Sequence, residues 1–164
     1  MIFSQEHQIV PCLYSVDNNA GAATVCDIVS LAKYRHATFI LNFGVVDDSM
    51  TGTLIAYKGE DFTTCTTAFA AKYRYGATTD TLAALTTLAV TGVSLATGAA
   101  ADVVTDNTLI VVEVDAEDLA PTAANPYHTV RVGWTNSAHS TLVGIICILS
   151  EPRYAAATMP TAIV

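Results

Sequence analysis

The uncharged run Thr141-Leu142-Val143-Gly144-Ile145-Ile146-Cys147-Ile148-Leu149 is the stretch that most restricts what this chain can become. It is rich in β-branched residues, which favour extended backbone, and it is too short to cross a membrane. Pro152, just past Ser150-Glu151, ends it by removing a ladder donor. Both alternating sets of side chains are apolar, so the expectation is a strand buried on both faces that the rest of the chain must cover. The nearest partner is 128–135, His-Thr-Val-Arg-Val-Gly-Trp-Thr, because Asn136-Ser137-Ala138-His139-Ser140 has the length and polarity of a hairpin link. In that partner Val130, Val132 and Trp134 form the core-facing set.

Covering such a strand is difficult for a chain with only 13% charged residues against 52% hydrophobic ones, where an ordinary soluble domain carries roughly 25% charge. The exterior must therefore be largely Ala, Thr, Ser and Gly, and part of its apolar surface is expected to end on a partner. The 164 residues suffice for one domain, 1–164, with a core that needs no disulfide. A net charge of −8 with no Lys/Arg cluster disfavours nucleic acid and anionic membrane as direct partners. Residues 1–7 lack the basic and apolar regions of a secretory signal, so synthesis in the cytoplasm is expected. In that reducing compartment Cys12, Cys26, Cys65 and Cys147, which form no C-x-x-C pair, are expected to be small buried thiols. Their spacing relative to His7, His36, His128 and His139 does not support a zinc site.

Taken in order, 9–14 is a short apolar segment broken by Pro11, readable as an edge strand or an extended arm, and 15–21 is a turn-rich loop. Residues 22–31 alternate as a half-buried strand would, with a helical turn at 28–33 as the competitor. The alternation of 36–46 is the clearest in the first half: Phe39, Leu41, Phe43 and Val45 face the core, and Thr38, Ile40, Asn42 and Gly44 face away. Asp47-Asp48-Ser49-Met50 then reads as a turn closing a hairpin with 51–58. Residues 66–75 admit helix or strand, with strand favoured; 76–80 is a turn. In 81–98 the leucines have helical spacing, yet Thr, Val and Gly92 favour extended chain with a bulge or kink. A polar loop at 98–107 leads into Leu109-Ile110-Val111-Val112-Glu113-Val114, a second apolar strand, and 115–119 reads as one turn of helix before Pro121. About eight strands joined by alternating short and long links imply an all-β, two-sheet β-sandwich with Greek-key or jelly-roll wiring.

Candidate chemistry is thin. P-loop, dinucleotide, zincin, hydrolase-elbow and calcium-loop patterns do not occur. Asp47-Asp48 and Asp115/Glu117/Asp118 sit at strand ends, where solvated carboxylates are commonplace. Asp17-Asn18-Asn19 and Asp102/Asp106/Asn107 offer oxygen ligands to Ca²⁺ but are explained by turn formation. His139 with Ser137 and Ser140 reads as a polar loop and not as a triad, and Trp134 as core. Arg153-Tyr154 is better placed: an Arg just outside a buried strand suits a bidentate contact with a carboxylate, in a neighbouring subunit or in its own chain. No cofactor or metal is called for, and no enzyme activity is expected.

Several stretches carry a resemblance: Asn18-Asn19-Ala20-Gly21-Ala22 leading into Cys26-Asp27-Ile28-Val29-Ser30-Leu31, the strand 39–44, the segment from Asp106-Asn107 to Asp118-Leu119, and Ile148-Leu149-Ser150-Glu151-Pro152-Arg153-Tyr154. In layout the chain resembles the small virion structural proteins of tailed bacteriophages, some of which are head decoration, or cement, proteins. The resemblance implies a non-enzymatic jelly-roll-like domain, a virion location on the capsid surface, the major capsid protein as partner and a homo-oligomer, specifically a trimer. A tail or neck component, or a glycan- or receptor-binding sandwich, is the alternative. The termini 1–14 and 153–164, apolar and interrupted by Pro11 and Pro160, are expected to act as extended arms. Ile2, Phe3, Ile9, Pro11, Arg153, Tyr154, Met159, Pro160 and Ile163 are the expected interface residues.

Overall fold

Alternation of large apolar and small or polar side chains builds most of the molecule, because successive residues of a strand point to opposite faces. The computed structural model describes residues 7–17, 24–76, 82–96, 104–136 and 139–152. Among them run β1 (Gln8–Asp17), β2 (Thr24–Val25), β3 (Val29–Ser30), β4 (Tyr34–Val46), β5 (Thr51–Gly59), β6 (Thr67–Phe69) and β7 (Ala71–Gly76). There follow β8 (Thr86–Leu88), β9 (Val93–Ala96), β10 (Leu109–Asp115), a 3₁₀ turn (Ala116–Leu119), β11 (Thr129–Asn136) and β12 (Thr141–Pro152).

The strands form two sheets, ordered β1-β12-β4-β10-β7-β8 and β2-β11-β5-β6, with β3 also on β11 and β9 also on β5. All pairings are antiparallel. The chain repeatedly changes sheet: β4 and β5 lie in opposite sheets, as do β10 and β11, and β11 and β12, while β1 and β12, near the two ends of the chain, are neighbours. This is the wiring of a jelly roll.

It corrects both hairpins expected from the sequence. β11 does not pair with β12: β11 bonds to β5 and to β2 and β3, and β12 bonds to β4 and β1. Likewise β4 is flanked by β12 and β10, leaving no edge for β5. Links of four or five residues can reverse a chain within one sheet, but they also span the roughly 10 Å between stacked sheets. Here the links take the second course. Met50, in the link from β4 to β5, is fully buried between the sheets.

Phe39, Leu41 and Phe43 of β4, Ile145, Cys147 and Leu149 of β12, and Ile110, Val112 and Val114 of β10 turn inward from the first sheet. Leu54, Ala56, Val130, Val132 and Trp134 meet them from the second. Each fully buried Leu, Ile or Phe contributes about 1.5–3 kcal/mol on transfer grounds. Trp134 and Phe43 cross the gap edge to face, with centroids 5.3 Å apart and planes at 76°. The indole has room only because position 52 is glycine: a Cβ there would lie 2.0 Å from the Thr135 carbonyl oxygen and 2.5 Å from Trp134 Cη2.

The strand that organises the chain is buried on one face, not two. Thr141, Val143, Ile145, Cys147 and Leu149 are buried, whereas Leu142 and Ile146 keep 40% and 45% of their surface exposed. Ile9, next to this strand on the same outer face of the first sheet, is likewise 52% exposed. Val45, expected in the core set, is 71% exposed, because the register shift of β12 between Thr141 and Val143 brings Val46 inward instead.

Elsewhere the extended readings hold. Residues 66–75 are strand interrupted at Ala70, where the chain passes from the second sheet (β6) to the first (β7). β8 and β9 flank a kink in which Gly92 takes φ +84°. Residues 22–31 contribute two short ladders on β11, and 116–119 is one 3₁₀ turn. The segment 8–14 is part of β1, an edge strand whose Val10 and Cys12 enter the core, which narrows the expected N-terminal arm to the residues before Gln8. Of the loop expected at 15–21, residues 15–17 instead continue β1. Residues 18–21 of that loop, 77–80 of the turn at 76–80, 98–103 of the loop at 98–107, and the arm residues Ile2, Phe3, Arg153, Tyr154, Met159, Pro160 and Ile163 lie outside the described residues.

Candidate interaction surface

The alternation that fills the core from β12, β4 and β1 leaves a second set of side chains on the outer face of the first sheet. The ladder sets their neighbours. Pro11, Ile146, Ile40 and Val111 form one row across β1, β12, β4 and β10, and Ile9, Ile148, Thr38 and Glu113 form the next. Ile9 is 52% exposed, Ile146 is 45% exposed, Pro11 is exposed, and Ile40 and Ile148 are half-buried. Isolated surface isoleucines are ordinary, but adjacent ones on three neighbouring strands form a contiguous apolar strip. Both Ile9 and Pro11, interface candidates on sequence grounds, fall on it.

A polar cluster closes one end of the strip. His36 of β4 places Nε2 2.7 Å from Glu113 Oε2 and Nδ1 2.6 Å from Asp115 Oδ1, both on β10. The Thr38 hydroxyl donates to the same Glu113 oxygen at 2.9 Å and lies 3.1 Å from His36 Nε2. Burial alone pushes the ring's pKa down, but the hydrogen bonds to Asp115 and Glu113, with their charges, outweigh it and raise the pKa above the ordinary 6.5. Thr38, His36 and Asp115 follow the order of a catalytic triad, yet the chemistry differs. An imidazolium donating from both nitrogens to carboxylates has no lone pair to take a proton from Thr38, whose own proton is committed to Glu113. The cluster is a charge-assisted lock between β4 and β10 that presents carboxylate oxygens at the surface.

The other sequence candidates are structural. Asp17 accepts from Ser140 Oγ (2.9 Å) and from Thr141 N–H (3.1 Å), joining β1 to the start of β12, so Ser140 is turned to Asp17. His139 Nδ1 lies 3.3 Å from Asp47 Oδ1, and Asp47 also accepts from Ser49 N–H at 2.8 Å. Asp106 accepts from Val46 N–H, and Asp118 accepts from Asp115 N–H across the 3₁₀ turn. Asp61 receives four hydrogen bonds from Thr63 and Thr64, led by the Thr63 N–H, which hold its carboxyl well below the usual range. Asn18, Asn19, Asp102 and Ser137 lie outside the described residues.

All four cysteines are buried thiols. Contact with Cys147 raises the Cys12 pKa, burial raises that of Cys26, and burial pushes the Cys65 thiol up to about 11. Among the described residues no group of three or more His, Cys, Asp or Glu is arranged to hold a metal, and no helix is long and apolar enough to cross a membrane. An open cleft of about 440 Å³ lies between Leu31, Ala116, Leu119, Pro121 and Tyr127. The cation beside it is committed: Lys58 Nζ donates to the Leu119 carbonyl at 2.7 Å and sits 4.6 Å from the Tyr127 ring centroid.

The sequence reading missed the outer-face residues Ile40, Ile146 and Ile148 and the His36 cluster. Glu113, the one charge interrupting an apolar run, was the available signal.

The fold and its surface define a class, a jelly-roll β-sandwich with a partly apolar outer sheet. No protein-family model and no curated protein matches the chain. Among solved structures it is similar to a chain of Desmodium yellow mottle tymovirus, at 12% identity and a TM-score of 0.28, covering 93% of this chain and 92% of that one. It is also similar to a chain in a structure of infectious bursal disease virus Gt strain, at 9% identity and a TM-score of 0.26, covering 95% of this chain and 43% of that one. The jelly-roll assignment rests on strand order, not on these scores.

Proposed function

We propose that this protein is a non-enzymatic structural component of a virus particle. More specifically, it is a decoration (cement) protein of a tailed-bacteriophage head that binds the outside of the major capsid protein shell as a trimer and stabilises it. The observation that carries the reading is the apolar strip of Ile9, Pro11, Ile40, Ile146 and Ile148 on the outer face of the first sheet. A lone domain gains nothing from leaving such a face to water, whereas a subunit repeated over a shell covers it and adds many weak contacts into firm attachment. The scarcity of charge and the jelly-roll wiring support the same reading. The net charge of −8 argues for a protein partner over nucleic acid. A glycan binder would present clustered exposed aromatics; among the described residues Tyr14, 80% exposed, is the large aromatic that stands out on the surface.

Co-sedimentation with empty shells assembled from a tailed-phage major capsid protein tests the proposal. Saturable binding that makes the shells melt at higher temperature is expected. Absence of binding, with shells equally stable with and without the protein, would overturn it.

A further inference from the structure

We infer that Cys12 and Cys26 form a redox clasp: thiols in the reduced protein, they close to a disulfide that fastens β1 to the second sheet when the molecule meets an oxidising disulfide of low molecular weight. The inference concerns the domain itself and stands apart from the assembly reading above.

The backbone brings the pair together. Residues 26 and 27 span the two sheets: the Cys26 N–H donates to the Val132 carbonyl of β11 at 3.0 Å, and the Asp27 N–H donates to the Cys12 carbonyl of β1 at 2.8 Å. The Val132 N–H in turn donates to Cys26 Sγ at 3.2 Å, which fixes where that sulfur sits. With ordinary bond lengths, the bond from Asp27 to Cys12 holds the Cα atoms of Cys12 and Cys26 within roughly 7 Å of each other, and a disulfide takes about 4.4–6.8 Å. Both side chains enter the same core, each 2% exposed, and their thiols are in hydrogen-bond contact.

The Cys12 thiol also touches that of Cys147, so the ladder must choose between them. Cys147 stands opposite Val10, and Cys12 lies two residues further along β1, past the register shift that follows Pro11. Diagonal neighbours of this kind are about 7–8 Å apart at Cα, too far for a disulfide without moving the backbone. Cys65 is turned elsewhere, its thiol donating to the Tyr57 carbonyl at 3.4 Å. Cys26 is the partner that the backbone positions.

The bond would act where the fold is weakly laddered. β1 is an outer strand, Pro11 offers no N–H, and the β1–β12 register shifts twice. A Cys12–Cys26 bond closes residues 12–26, a loop of 15, and removes their freedom from the unfolded chain. For a domain of this size that raises the melting temperature by roughly 6–12 °C. In a reducing compartment the pair stays open. Both thiols are buried, so the oxidant gains access only as the fold opens, and closure is slow. The Cys12 thiol then loses its proton, its thiolate attacks one sulfur of the small disulfide, and the other sulfur leaves as a thiolate that takes up that proton. The Cys26 thiolate attacks the Cys12 sulfur of the mixed disulfide and expels the second small thiol. Two protein thiols and one small disulfide thus become one protein disulfide and two small thiols.

The test incubates the full-length protein, freed of reductant, with oxidised glutathione well below its melting temperature, then counts thiols by alkylation in denaturant. Loss of two of the four thiols is expected, with a peptide map of the unreduced protein joining Cys12 to Cys26 within one chain. The melting temperature should rise as above and fall back with dithiothreitol. Cys12→Ala and Cys26→Ala should lose the rise and Cys65→Ala should keep it; the wild-type peptide map decides even where a variant fails to fold. Retention of all four thiols, a bond mapped to Cys147, to Cys65 or between chains, or a Cys12–Cys26 bond that leaves the melting temperature unmoved would each overturn the inference.

Discussion

Ile145 and Ile146 are chemically identical neighbours on β12 whose environments the fold makes opposite. Ile145 is fully buried, in register with Leu41 of β4 and Leu13 of β1, and Ile146 is 45% exposed, beside Ile40 and Pro11. Truncating Ile145 to alanine removes its burial and leaves a cavity between packed sheets, at a cost of about 2–5 kcal/mol. At Ile146 a little over half of the side chain's transfer energy is at stake and no enclosed cavity forms, so Ile146→Ala should cost about 1 kcal/mol. For a domain of this size each kcal/mol moves the melting temperature by about 2–4 °C. Urea melts of the dilute protein measure both variants, with an unchanged m-value confirming that the same surface unfolds. Equal losses would mean that β12 is covered on both faces within one chain. A larger loss at Ile146 would mean a register slipped by one residue, because a slip exchanges every inward and outward side chain.

Three further outcomes follow from the structure. Gly52→Ala should destabilise the fold by about 1–3 kcal/mol in the same melts, since its Cβ meets the Thr135 carbonyl and the Trp134 ring; a neutral result would mean that β5 and β11 are spaced differently. The raised His36 pKa makes the folded state hold the proton more tightly than the unfolded chain, so its contribution is complete below about pH 6.5 and declines as pH rises through the raised value. His36→Gln should flatten the dependence of melting temperature on pH in that window, and an unchanged profile would remove His36 from the lock. The buried thiols Cys12, Cys26, Cys65 and Cys147 should react with a thiol reagent only as fast as the protein unfolds, and rapid labelling of any of them in the native state would contradict its burial.

The secondary structure was largely legible because Phe39, Leu41 and Phe43 alternate with polar or smaller residues, and an alternating pattern admits one burial assignment. At 141–149 the same logic failed. Both sets are apolar, so the pattern allowed a doubly covered strand, and only the exposure of Leu142 and Ile146 decides against it. Pairing was not legible either. The links at 47–50 and 137–140 are short enough for hairpins and long enough to cross the sandwich, and the choice depends on which strands already occupy the edges of β4 and β12. The polar cluster was hidden for a third reason: His36 and Glu113 are 77 residues apart and meet only through the β4–β10 register. Ile9 and Pro11 were found from composition at a chain end, but the strand that holds them belongs to the sheet. The face they share with Ile146 follows from the ladder alone.

The central claim is that the outer face of the first sheet is an assembly surface. A cryo-EM reconstruction of shells carrying the protein tests it most directly, at a resolution that traces β12. The account predicts protein density packed over Ile40, Ile146 and Ile148 in every bound copy; copies held to the shell by other surfaces, with those three side chains open to solvent, would contradict it.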